Sequence, residues 1–260
     1  MTVNIERHVA EIDEAGFTIV DDVVPLDDLS ALRMAVQAAI DADWERYGGQ
    51  PGKEYFISLD LVAHGGPFLT LLENPVVDAI FGALLGEAWT LYTFTSTMVY
   101  PAADQYTCNV HNDMGRDSNG YLLGALATLA LDDFTEENGT TWFLPGSHRR
   151  PERPSDEEFF ADAVRFERPA GSAAVFDPRI WHAGGRNSSG RARHGCTLYA
   201  CRSFMRQRLD YPRLVEKAGI DADRLSATVR RVLGFNVRVP TSLDEFYVPP
   251  DERLYQPGQG

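Results

Sequence analysis

Val110-His111-Asn112-Asp113 sets an imidazole and a carboxylate two positions apart. On a strand end that spacing turns both side chains to one face of a sheet, where they can share a metal ion. A third group of the same kind stands in Trp181-His182, at the end of the strand that begins Ala173-Ala174-Val175-Phe176. Two histidines and one carboxylate on one face of an octahedron leave three cis positions open, enough for a bidentate 2-oxo acid and dioxygen on iron(II). An isolated His-x-Asp triplet is common by chance, so the spacing beyond it carries the weight. Arg193 follows His182 by eleven positions, at the start of another strand. A buried guanidinium there can grip the distal carboxylate of 2-oxoglutarate with two parallel hydrogen bonds, which a lysine would do less specifically.

The elements that must hold these groups are legible from periodicity and punctuation. A short amphipathic helix ends near Gly16 and leads into a strand at Phe17–Val20. Pro25 opens a second helix, in which Leu29, Leu32, Val36 and Ile40 share one face. Residues 47–67 are glycine-rich and read as loop with a short strand at Tyr55–Leu59; Asn74-Pro75 starts a helix through Leu85, closed by Gly86. A long strand is expected within Trp89–Tyr100. Others are expected at Tyr106–His111, Tyr121–Leu131, Thr140–Leu144, Ala173–Phe176 and Gly195–Phe204, separated by Gly, Pro, Asn or Asp. Strands so spaced close into a barrel or sandwich. Pro151–Phe166 reads as an acidic, partly helical insertion, and a helix is expected at Asp221–Leu233. The expected organisation is one catalytic domain over 1–260: a helical and strand elaboration over 1–90, a barrel core over about 90–208, and a helical tail over 209–260.

The chain has 260 residues and a net charge of −14, with 44% hydrophobic and 24% charged residues, which reads as a globular protein that would repel a polyphosphate backbone. Nucleic acid is not an expected partner. Three cysteines, Cys108, Cys196 and Cys201, lack C-x-x-C spacing, so neither a disulfide framework nor a zinc knuckle is indicated. The N-terminus has no apolar signal core and no run is long enough for a membrane span. The expected location is the cytoplasm, with no membrane partner.

With these residues in place the chain resembles the phytanoyl-CoA dioxygenase family of iron and 2-oxoglutarate oxygenases over nearly its whole length. Ala130-Leu131-Asp132-Asp133-Phe134-Thr135-Glu136-Glu137-Asn138-Gly139, running into Leu144-Pro145-Gly146-Ser147-His148, resembles the family's central signature, and Glu14 to Val20 its opening strand. The segment from His182 through Asn187 to Arg193 resembles its distal motif. The resemblance implies a mainly β fold with packed helices, the double-stranded β-helix or cupin-like jelly roll. It also implies Fe(II), 2-oxoglutarate and O₂ as cofactor and co-substrates, with decarboxylation to succinate coupled to hydroxylation of a small molecule. One departure stands out: many members carry a hydroxyl residue two places after the distal histidine, where this chain has Gly184. Thr128, Thr140, Thr141 and Trp142 on facing strands are candidates to assist Arg193, and Gln105 is a further candidate near the site. Asp113 fills the position that halogenating relatives leave open, so halogenation is disfavoured.

Competing outcomes are the same chemistry ending in desaturation, epoxidation or cyclisation, and a cupin-like metal-binding protein without turnover. The intact triad with Arg193 favours the enzyme. The substrate class inclines to secondary-metabolite or amino-acid-like molecules. His148 reads as a brace of its loop, His194 as packing or surface, and Asp132 and Asp133 as turn residues.

Overall fold

The computed structural model describes residues 3–48, 57–101, 105–115 and 118–253. Among the described residues there are eight strands: β1 (Phe17–Val20), β2 (Thr90–Ser96), β3 (Gly124–Ala130), β4 (Trp142–Phe143), β5 (Val164–Arg165), β6 (Ala173–Phe176), β7 (His182–Ala183) and β8 (Gly195–Cys201). Five pair antiparallel in the order β1-β6-β3-β8-β2, and three in the order β5-β4-β7. Together the two sheets make the mainly β, jelly-roll architecture expected; the described strands stay in two sheets and do not join into a closed barrel.

Alternation along the strands decides what each face meets. Ala125, Ala127 and Leu129 of β3, Ala173 and Val175 of β6, and Cys196, Leu198 and Ala200 of β8 turn to the helical side. There they join Leu32, Val36 and Ile40 of α2 (Leu29–Tyr47) and Val77, Ile80 and Phe81 of the Pro75–Leu85 helix. The intervening residues Leu126, Ala174, Phe176 and Tyr199 face inward and pack with Phe17 and Phe143. Phe17 and Phe143 stack at 4.7 Å and bring the two sheets together at one end. Every residue of β8 is buried, because β8 is central and covered on both sides.

Helix boundaries follow local chemistry. The Pro75–Leu85 helix starts where the Asn74 side chain accepts from the Val76 and Val77 N–H groups, each at 3.1 Å, with Pro75 at its first position. The expected helix at Leu26 begins as a 3₁₀ turn and becomes α-helical only from Leu29. The expected helix at Asp221–Leu233 is two pieces, a 3₁₀ turn at Ala222–Arg224 and a helix at Ala227–Val232, because Ser226 caps the second. Tyr106–Cys108 is a 3₁₀ turn rather than a strand. Of the strand expected at Tyr55–Leu59, residues 55 and 56 lie outside the described residues and 57–59 are not in a strand. No described helix is long and apolar enough to cross a membrane.

The tail is tied back to the segment before the Leu61–His64 turn. Tyr211, fully buried, donates its phenol to an Asp60 carboxylate oxygen at 2.7 Å, and the other oxygen accepts from the Val62 N–H at 3.0 Å. Burial nevertheless raises Asp60 from 3.8 to about 6, against the lowering effect of those hydrogen bonds. A carboxyl raised on folding stabilises the protein fully below its unfolded value and loses that contribution as pH climbs through its folded value. Stability should therefore fall between about pH 4 and pH 6.5 by roughly 1–3 kcal/mol from this group, and Asp60→Asn should flatten that part of the profile. Urea unfolding at a series of pH values checks this; an unchanged slope in the variant would refute it.

Candidate metal centre

β7 contributes His182 and the segment after the Tyr106–Cys108 turn contributes His111. The two residues face each other in an isolated antiparallel bridge, His111 N–H donating to His182 O at 3.0 Å and His182 N–H to His111 O at 2.9 Å. Their rings lie 4.3 Å apart. Each Nδ1 lies beside a carbonyl two residues back, His111 with Asn109 O at 2.8 Å and His182 with Ile180 O at 3.0 Å. An Nδ1–H donated to a carbonyl leaves Nε2 as the bare ligand atom. Asp113 follows in a bend, its N–H donating to Pro178 O at 2.8 Å. Its oxygens stand 3.8 Å from His111 Nε2 and 3.6 Å from His182 Nε2.

All three ligand atoms lie within 4.8 Å of one another. A facial set with bonds of about 2.1 Å needs separations near 3 Å, within reach of small side-chain rotations. Burial pulls the His182 imidazole below its ordinary value, outweighing the upward pull of Asp113, so the ring is neutral and ready to ligate. Phe143 and Phe176 pack on that ring at 6.0 and 5.2 Å and exclude water from its rear. One expectation changes: His182 does not end the strand of Ala173–Phe176. The chain turns at Asp177–Trp181 and carries His182 into the other sheet, where the bridge to His111 fixes it.

The triad opens onto a cavity of about 330 Å³. Arg193 lines it, four per cent exposed, from a bridge with Val99 that precedes β8. One guanidinium N–H donates to Gly139 O, the group stands 3.9 Å over the Phe134 ring, and its Nε has no partner. No carboxylate among the described residues pairs with it, and burial draws it down to about 9. A guanidinium keeps its proton in practice, so that pull expresses an unmet demand for an anion. Arg168, also buried, lies over the same ring at 4.3 Å and adds positive charge. Gly139 and Gly185 let the backbones that frame Arg193 touch: a Cβ on Gly185 would stand 2.7 Å from Thr140 O.

Of the proposed helpers, Thr128 and Thr141 line the cavity, and Thr128 shares a 2.8 Å hydrogen bond with Thr197. Gln105 lines it too, with Oε1 buried and unpartnered while Nε2 donates to Met98 O at 3.2 Å. Thr140 and Trp142 do not. Thr140 donates to Phe166 O at 2.9 Å, and Trp142 packs on Phe160 and under Arg165, because Thr141 and Phe143 hold the inward positions of that strand. His148 braces the α1 end (α1, Ile5–Ala15), its Nε2 beside Asp13 O at 3.1 Å. His194 and Asp132 pair at 2.8 Å behind Arg193.

The cavity residues Thr107, Tyr199 and Arg208 carry no signal in the sequence. Thr107 lies against Gly184, whose missing Cβ would sit 3.7 Å from the Thr107 hydroxyl. Tyr199 and Tyr92 pair at 4.9 Å on the inner face, and Arg208 stands at the solvent side.

The sequence matches the phytanoyl-CoA dioxygenase (PhyH) family over residues 12–195. It is 35% identical over 257 residues to the uncharacterized protein Rv1501 of Mycobacterium tuberculosis, covering 94% of this chain and 92% of that one. It is 25% identical over 192 residues to the dioxygenase sphC of Aspergillus fumigatus, covering 70% of this chain and 52% of the other. Among solved structures it resembles SnoK, described as a non-haem α-ketoglutarate-dependent carbocyclase of nogalamycin biosynthesis. That likeness has a TM-score of 0.61 and 18% identity, over 77% of this chain and 87% of SnoK.

Proposed function

Because the chain belongs to the phytanoyl-CoA dioxygenase family and is a non-haem iron, 2-oxoglutarate-dependent dioxygenase, we propose that it hydroxylates an unactivated C–H bond of a small molecule of secondary-metabolite or amino-acid type. The observation that carries this reading is one cavity holding a His-Asp-His face and, beside it, a buried guanidinium with no carboxylate partner. The residues fit both groups: neutral Nε2 atoms and a carboxylate suit iron(II), and Arg193 suits a dicarboxylate's far end. Bound together, iron and 2-oxoglutarate supply the oxidising power, releasing succinate and carbon dioxide as dioxygen is consumed.

The chain's own residues do the rest. His111, Asp113 and His182 would hold the metal at the cavity. Arg193 orients 2-oxoglutarate and neutralises its distal charge. Phe143 and Phe176 keep water from the rear of the centre, and Tyr92 and Tyr199 offer an aromatic wall for the substrate body. Tyr199 stays a neutral phenol, since burial first and then Asp113 push its ionisation up.

Anaerobic addition of iron(II) and 2-oxoglutarate should give the visible charge-transfer band of the chelate. Admission of isotopically heavy dioxygen with candidate substrates should then yield a product with one labelled oxygen. No band at stoichiometric iron would overturn the reading of the site. A product short of two hydrogens and without label would replace hydroxylation by desaturation or by ring closure of the kind that SnoK's description names. Thr107, which lines the cavity and whose hydroxyl lies 3.7 Å from where a Cβ on Gly184 would stand, should donate to the co-substrate. Thr107→Val should weaken 2-oxoglutarate binding by about ten- to a hundredfold, the worth of one hydrogen bond to a charged group, with iron stoichiometry unchanged. Titration of the band measures it, and equal affinities would remove Thr107 from the site.

A further inference from the structure

β2 carries a bulge at Tyr92, where its pairing with β8 slips between Leu91 and Thr93. Bulges re-aim side chains next to functional sites. This one frees two carbonyls, and the chain after β8 takes them up: the Gln207 side-chain amide donates to Leu91 O at 2.8 Å and the Arg208 N–H to Tyr92 O at 3.1 Å. The backbone of Arg208 is thereby pinned at the cavity while its side chain is exposed and lines the cavity. Arg33, Arg153, Arg165, Arg179 and Arg231 each pair with an acidic side chain. Among the described residues, the Arg208 guanidinium has no acidic side chain within salt-bridge distance.

Charge within the site makes the same point, and this step rests on the reading of the site as an iron and 2-oxoglutarate centre. The iron(II) charge and Arg193 together balance Asp113 and the two carboxylates of 2-oxoglutarate. Among the described residues lining the cavity, Arg208 is the remaining cation. Tyr92 and Tyr199, which suit an apolar or aromatic body, line the same cavity.

We propose that the substrate carries an anionic oxygen group, a carboxylate or a phosphate, which Arg208 holds at the solvent side of the cavity while the tyrosines pack its body toward the metal. A guanidinium fixed by its backbone at the cavity and left without a counter-ion is prepared for such a group.

The test compares wild type, Arg208→Gln and Arg208→Lys, each loaded anaerobically with iron(II) and 2-oxoglutarate. The charge-transfer band is recorded first. Hydrocinnamate, its neutral amide and phenyl phosphate are then titrated, and the perturbation of the band is followed. Wild type should bind an anion at least about tenfold tighter than the amide. Arg208→Gln should bind that anion no better than the amide, and Arg208→Lys should keep most of the preference. The tighter of the two anions identifies the group as carboxylate or phosphate. Equal binding of anion and amide by wild type, equal anion binding by wild type and Arg208→Gln, or no binding of either anion overturns the proposal. Loss of the band in Arg208→Gln also overturns it, by placing Arg208 on the co-substrate. Absence of the band in wild type, before any probe is added, is the separate failure of the site reading on which the proposal rests.

Discussion

Replacing His182 by alanine should cost the protein its iron at micromolar metal and lower 2-oxoglutarate turnover by about a thousandfold or more. The argument is geometric. His182 is the buried member of the triad, its Nδ1 lies by Ile180 O and its ring is packed between Phe143 and Phe176. Its Nε2 therefore has little freedom to be replaced by a neighbour or by bulk water. His111 and Asp113, more open to the cavity, would be left as a pair that iron occupies weakly. Metal analysis after gel filtration, with the charge-transfer band and succinate release, measures the loss. The backbone bridge to His111 should survive, so an unchanged far-ultraviolet circular dichroism spectrum separates ligand loss from unfolding. Stoichiometric iron in the variant would remove His182 from the metal centre.

The second large effect belongs to Arg193. Arg193→Met should weaken 2-oxoglutarate binding by about a hundredfold, the usual cost of truncating one partner of a buried, hydrogen-bonded charge pair. The same substitution should leave the protein without co-substrate at least as stable as wild type. In the wild type the guanidinium is desolvated, has an unpartnered Nε and shares the Phe134 ring with a second buried cation, Arg168. An apolar chain of similar length is spared that desolvation. Wild type should therefore show a strong thermal stabilisation by 2-oxoglutarate, following the mass-action relation for a ligand of the native state, and the variant almost none. A variant stabilised as much as wild type would show that the anion is held elsewhere.

The grouping of His111, Asp113, His182 and Arg193 at one cavity was legible because their chemistry is local in the sequence: an imidazole and a carboxylate two apart, then a histidine and an arginine in a fixed succession. What the spacing left open was the path between them. The turn at Asp177–Trp181 transfers the chain from the large sheet to the small one, and no periodicity announces that step. The helper residues show the limit of strand reading. Thr140, Thr141 and Trp142 are consecutive, only Thr141 faces the cavity, and a shift of one residue exchanges inside for outside. Thr107, Tyr199 and Arg208 come from a 3₁₀ turn, a central strand and the segment after it. Nothing in the chain order joins them, and only the fold brings them to one cavity. The nearly continuous runs of small and apolar residues, by contrast, located β3, β6 and β8 well, because burial on both faces leaves few other ways to read Ala125–Ala130 or Gly195–Cys201.

The two histidines are opposite partners of a single backbone bridge, so main-chain hydrogen bonds help to set the spacing of their side chains. The two ligands are thus held to each other through the sheet as well as through any shared ion, in contrast to sites whose ligands meet only around the ion.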